Sequence, residues 1–450
     1  MKKMLRIIAL LLPGLFYAGS LLAQIDNLTN MSTEWMRTSN RNAAIDATDI
    51  VVYNPAATVL LPEGFHINIG NQSLFRKPQH TFDLGFEKGK QTFEQDKADP
   101  FLPNLFAAYR KGKWAINAGI YVPGGGATAN YPNGSLTTEL ISIQTRLAYL
   151  QQGADYSTSI NQSLKASSYY LAFALGGAYA INDMISVSLG ARYLTCRNLT
   201  KAGTTLSGSI SGLLPDAPLQ VDTRDNATGF GGIIGLNVKP NDKWNIGLHY
   251  ETAVKLDFKT KINKDDLGFA TDGALNRRDL PSNLNAGVSY KLTPALMAEV
   301  DYNYYFQKAA NWSDTYLPGE EAKTKWADMS GNCYTTGIAM LYDVNNKLQV
   351  SAGTSWTKFL YNNKEGYYTS LGAFEVLKND NLTLNFGGAY RVCSHARFNL
   401  AFGTTLWKDQ NIKSLQLEAI QVYSPDPTAD PMVAIQDNAM FIAIGFDIDF

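Results

Sequence analysis

Cysteine is scarce in this 450-residue chain: Cys196, Cys333 and Cys393 are widely separated and odd in number. That excludes a disulfide framework and a cysteine-built zinc centre. There are only four histidines, His66, His80, His249 and His395. None stands at a metal-ligand spacing or in a nucleophile motif, so the sequence points to no enzyme, no metal and no cofactor. Neither sign of charge dominates, with 39 basic against 40 acidic residues, which leaves no basic surplus for nucleic acid. Long apolar runs are missing as well. Beyond residue 24 nothing approaches the roughly 18 residues a membrane helix requires, and mean hydropathy is −0.17.

What is present begins with MKKMLRIIALLLPGLFYAGSLLAQ. Lys2, Lys3 and Arg6 precede an apolar run from Ile7 to Tyr17, and Ala23 is a small residue before Gln24. This is the pattern of a secretory signal peptide over 1–23, and it places the remaining chain outside the cytoplasm. Aromatics make up 12%, with 24 Tyr and 21 Phe.

Apolar residues then recur at period two. In WNIGLHYE, Trp244, Ile246, Leu248 and Tyr250 alternate with Asn245, Gly247, His249 and Glu251. In ISVSLGARYL, Ile185, Val187, Leu189, Ala191 and Tyr193 oppose Ser186, Ser188, Gly190 and Arg192. Leu296 to Tyr304 and Phe441 to Phe450 repeat the pattern. A soluble sandwich also alternates, but the connections here differ in length by turns. Short ones at Lys111-Gly112-Lys113, Ile181-Asn182-Asp183, Pro240-Asn241-Asp242, Leu292-Thr293-Pro294, Asp343 to Asn346 and Cys393 to His395 are interleaved with long ones such as 123–167 and 199–225. Outer-membrane barrels have this asymmetry of short periplasmic turns and long external loops. Counting between connections predicts about fourteen strands. The fold class is therefore all-β, a transmembrane antiparallel β-barrel, and a hairpin within 412–424 (Leu415, Leu417) is expected to extend above the membrane. Arg192, Glu299, Asp301 and Arg391 all fall on the polar face, as a lipid exterior demands.

A lumen of that width cannot be filled by its own side chains. Residues 24–62 precede the first strand and can fold back into it, leaving 63–450 for the barrel and its loops. Ala43, Ala44, Ala47, Ala56 and Ala57 permit close approach to the wall, and Pro55 suits a rigid bend.

The stretch NAAIDATDIVVYNPAATVLLPEGF, residues 42–65, resembles the N-terminal hatch of the FadL/TodX outer-membrane transporters of long-chain fatty acids and other hydrophobic compounds. The family's Asn-Pro-Ala triplet stands here as Asn54-Pro55-Ala56, preceded by Tyr53. The resemblance implies a monomeric barrel in the outer membrane of a Gram-negative bacterium, a hydrophobic ligand, outer-membrane lipid around the wall, and gating by Tyr53, Asn54, Pro55 and Ala56. It also implies an external apolar groove. Two stretches suit it: Leu140, Ile143, Leu147 and Leu150 at helical spacing, and Leu213, Leu214 and Leu219 beside two prolines. A helix that merely caps the barrel mouth accounts for the first stretch equally well. The family's third strand is kinked; here Trp114 to Val122 runs into Pro123-Gly124-Gly125-Gly126, which a loop entrance would also use. The competing readings are a general diffusion porin and a structural or adhesive surface barrel.

Overall fold

The computed structural model describes residues 30–83, 89–313, 315–320, 326–371, 375, 379–413 and 432–450. The leader expected over 1–23 and the residues Leu415 and Leu417 lie outside them.

Fourteen strands close into one cylinder. In chain order they are β1 (Gly64–Arg76), β2 (Lys97–Lys111), β3 (Trp114–Tyr131), β4 (Tyr156–Ala180), β5 (Ile185–Ser209), β6 (Ala217–Val238), β7 (Trp244–Glu251), β8 (Asn283–Lys291), β9 (Leu296–Tyr305), β10 (Asn332–Asp343), β11 (Leu348–Leu360), β12 (Asn381–Cys393), β13 (Ala396–Trp407) and β14 (Asn438–Asp449). Each pairs antiparallel with its sequence neighbours, and β14 returns to β1 from His66–Asp449 to Arg76–Ala439. Closure pairs the first and last strands, the condition for sheet to cross a bilayer. At the seam, Phe65 and Phe450 exchange backbone hydrogen bonds of 3.2 and 2.8 Å. Gly64 beside them has φ +130°, and a Cβ there would lie 2.2 Å from the Phe450 carbonyl oxygen.

Burial inverts the rule for water-soluble proteins. On β7, Trp244, Ile246, Leu248 and Tyr250 are exposed on the outside, while Asn245, His249 and Glu251 are buried within. On β14, Met440, Ile442, Ile444 and Phe446 face out, and Ala439, Phe441, Ala443 and Asp447 face in. Arg192, Glu299 and Asp301 are buried, as the alternation predicts.

Strands β4 and β5 are each 25 residues long and β6 is 22. A tilted crossing takes only about 9–11 residues, so these three project well beyond the bilayer on the long-loop side. The long connection expected over 199–225 is thus largely strand, and that over 123–167 is strand at both ends around helix Leu136–Leu150, because the ladder continues after the chain leaves lipid. Strand β7, by contrast, is only 8 residues long and ends at Glu251. Outside the membrane a smaller sheet joins Gln79–Asp83, Lys90–Glu94, Gln410–Lys413 and Met432–Gln436. It packs with helix Leu136–Leu150 and with Trp312, Trp326, Tyr367 and Tyr368 in a second apolar core.

Candidate functional site

Residues 30–62 lie inside the cylinder. They form a short helix, Thr33–Thr38, a single helical turn, Ile50–Tyr53, and a 3-10 helix, Pro55–Leu60. Ser32 caps the first by accepting from the Trp35 amide at 2.9 Å. Pro55 opens the 3-10 helix at a position where its missing N–H and fixed φ cost nothing. All five alanines singled out in this stretch are buried.

Polar groups of the inward wall satisfy this segment's backbone. Asp301 Oδ2 accepts from the Arg41 and Asn42 amides at 2.6 and 2.9 Å, and Glu299 Oε1 accepts from the Ala43 amide at 2.8 Å. Asn245 donates to the Ala43 carbonyl, Ser186 to the Ala56 carbonyl, and Asn385 to the Met36 carbonyl. Glu34 accepts from Asn68 and Asn399 on opposite sides of the β1–β14 seam. Within the segment, Arg41 is fully buried and bridges Asp46 at 2.7 Å and Asp49 at 2.6 Å. Inward glycines give the room. A Cβ on Gly247 would meet the Asn42 carbonyl at 1.8 Å, and one on Gly353 the Thr38 carbonyl at 1.7 Å.

The triplet sits at the centre of this contact. Asn54 Nδ2 donates to the Ala44 carbonyl at 3.2 Å and to Asn237 Oδ1 at 2.8 Å. The ring of Pro55 lies against Gly235, and Tyr53 OH accepts from the Met31 amide at 2.8 Å.

Above it is a small cavity of about 30 Å³. Met31, Trp35, Val52 and Tyr53 of the inner segment supply an apolar floor, while Arg192, His249, Glu251, Asn283, Asn285, Asn303 and Tyr305 supply a polar wall. Asn42 of the inner segment and Pro123 of β3 complete the lining. This proline marks an interruption. The β2–β3 ladder runs from Lys111–Trp114 only as far as Leu105–Ile120. Beyond it β3 keeps its ladder with β4 alone, with register shifts at Tyr121/Gly124 and Gly125/Ala127. Proline cannot donate to a ladder, and Gly125, at φ +67°, would place a Cβ 2.7 Å from Ser168 Oγ. The chain meets β2 again near Asn130, whose carbonyl accepts from the Asp96 amide at 2.9 Å. Pro123 to Gly126 is therefore within the strand rather than a loop entrance.

A second space, of about 30 Å³, lies outside the membrane between helix Leu136–Leu150 and the projecting strands. Ile141, Leu219, Val221, Leu267, Phe269 and four threonines line it, with no charged side chain. Of the candidate groove residues, Leu219 is in this lining. Leu140 and Ile143 are buried in the second apolar core, with Leu147 packed against it, on another face of the helix. Leu150 is exposed, Leu214 is half-buried, and Leu213 is exposed at the tip of the β5–β6 turn. Sequence reasoning missed Ile141, Leu267 and Phe269. Helical spacing identified an apolar stripe, but a helix with two covered sides carries two stripes.

The family described as outer membrane protein beta-barrel domain matches residues 77–276. Among solved structures, a Pseudomonas aeruginosa FadL homologue superposes with TM-score 0.66 at 12% identity, over 94% of this chain and 100% of that one. This chain has the FadL-type outer-membrane barrel fold. The FadL-type architecture is shared with the Pseudomonas putida toluene transporter TodX, at TM-score 0.60 and 13% identity over 95% and 100% of the two chains. The Ralstonia pickettii toluene transporter TbuX gives 0.53 and 15% over 90% and 94%. No curated protein matches the chain.

Proposed function

We propose that this FadL-type barrel carries small hydrophobic compounds passively across the outer membrane as a monomer, with residues 30–62 as its plug. One observation carries the reading: the cavity over the inner segment reaches Pro123, where the wall ladder is broken. An apolar compound leaves water for the uncharged outer groove, at about 0.8 kcal/mol per buried CH₂. It passes to the inner cavity and exits sideways at the β2–β3 interruption or past a locally rearranged surface of the plug. Binding that reshapes the floor at Trp35 and Tyr53 couples ligand to the conformation of that surface. No step makes or breaks a covalent bond. The transporters named among the similar structures agree with this assignment.

The test is uptake of radiolabelled naphthalene and oleate by cells whose outer membrane contains the protein. Wild-type protein should accelerate uptake of at least one. Ile141→Asp in the groove and Asn54→Ala in the plug should each reduce it while the barrel still assembles, as judged by heat-modifiable migration. Uptake no faster than in cells lacking the protein, together with free passage of sugars, would instead establish a diffusion porin.

A further inference from the structure

The inner cavity has one cation and one anion on its wall, and they are spent on each other. Arg192 Nη1 donates to Glu251 Oε2 at 2.6 Å, with the two side chains 1% and 7% exposed. Asn283 also donates to Glu251 Oε2 at 2.9 Å, and Arg192 Nη2 donates to the Thr252 carbonyl at 3.3 Å. The other polar wall groups, Asn283, Asn285, Asn303 and Tyr305, carry no charge at neutral pH, and His249 is held at 2.9 Å from Asn285. A carboxylate arriving here would lose its water, find the guanidinium already matched, and face Glu251. An unpaired anion is strongly disfavoured in such a place. A neutral compound with an apolar body and one hydrogen-bonding group meets no such conflict. The apolar floor takes the body, and the asparagine amides and the phenol take the polar tip.

We propose that the inner cavity is a binding site for neutral hydrophobic molecules bearing a single hydroxyl, carbonyl or amide, and that the Arg192–Glu251 pair is the specificity device that rejects fatty carboxylates. This rests on the transport reading above and narrows its substrate class. It also makes Glu251 a residue whose neutralisation changes selectivity: an uncharged group there leaves Arg192 unmatched and able to pair with an incoming anion.

Trp35 on the cavity floor supplies the reporter. The full chain in detergent at pH 8, above the ordinary histidine range, is titrated with 8-bromooctan-1-ol and with 8-bromooctanoate. Contact quenching of tryptophan fluorescence is followed, and the part lost in Trp35→Phe belongs to the cavity. The alcohol should bind at least about tenfold more tightly than the carboxylate. In Glu251→Gln, the ratio of carboxylate to alcohol affinity should rise by about tenfold or more. The double variant Arg192→Gln/Glu251→Gln should lose that gain. Wild-type protein that binds the carboxylate as tightly as the alcohol overturns the selectivity and leaves transport standing. So does a folded Glu251→Gln without the gain. If neither probe quenches Trp35 in wild-type protein, the cavity is not a ligand site, and both this inference and the inner step of the transport reading fall.

Discussion

Asp301→Ala should detach the middle of the inner segment without opening the barrel. Asp301 is 2% exposed and points inward from β9, whose ladders with β8 and β10 use backbone groups that the substitution leaves untouched. Its Oδ2 is the acceptor for two consecutive amides, Arg41 at 2.6 Å and Asn42 at 2.9 Å. Alanine leaves both N–H groups buried without that acceptor. Each such loss costs roughly 1–3 kcal/mol, so the pair is worth about 2–6 kcal/mol. At the middle of that range local opening rises on the order of 10³-fold. Glu299 still holds the Ala43 amide at 2.8 Å, which confines the loosening to about one turn of chain. Hydrogen exchange read by mass spectrometry on a peptide spanning 39–46 measures it directly. Asp301→Asn, which keeps an acceptor oxygen, should fall between wild type and alanine. Unchanged exchange in Asp301→Ala, in a barrel that migrates normally, would refute the view that wall carboxylates hold this segment.

Two further outcomes follow from the outer surface. His80, buried in the extramembrane sheet, accepts the Leu136 amide at the start of helix Leu136–Leu150 at 2.9 Å, and burial lowers its pKa from 6.5 to about 4 against the opposing pull of Glu375. Between those values the unfolded loop binds a proton that the folded one does not, so acidification from pH 6.5 to 4 should cost the helix anchor up to about 3 kcal/mol. Exchange at 136–140 should quicken over that window, and His80→Gln should remove the pH dependence. Leu189→Arg, at a 70% exposed outward position on β5, should cost about 2–4 kcal/mol in denaturant unfolding from liposomes. Leu213→Arg, 84% exposed at a turn beyond the bilayer, should change stability by less than about 0.5 kcal/mol. Equal effects of the two would contradict the assigned lipid face.

The strand plan was legible because lipid outside and polar groups inside force strict alternation, and the short turns punctuate it. The expected count of about fourteen strands is the observed one, with β2 to β6 running further than the alternation indicated. Alternation driven by lipid stops at the membrane surface, so nothing in the pattern announced that these ladders continue in water. Asn54, Pro55 and Ala56 were legible as a motif, but their partners Asn237, Gly235 and Ser186 lie more than a hundred residues away, and only strand register brings them near. The Arg192–Glu251 pair was hidden for the same reason. Both residues read as inward and polar, but nothing in the sequence placed one beside the other.

The wall's glycine notches have a mechanical consequence. Thr38 and Asn42 rest with carbonyl oxygens where the Cβ atoms of Gly353 and Gly247 would otherwise be. A cork seated in notches cannot slide or turn as one body without driving its backbone into neighbouring side chains. Motion in this cylinder therefore belongs to the parts that face open space, Met31, Trp35, Val52 and Tyr53, and a passage would form by local rearrangement of that surface while the seated portion stays docked.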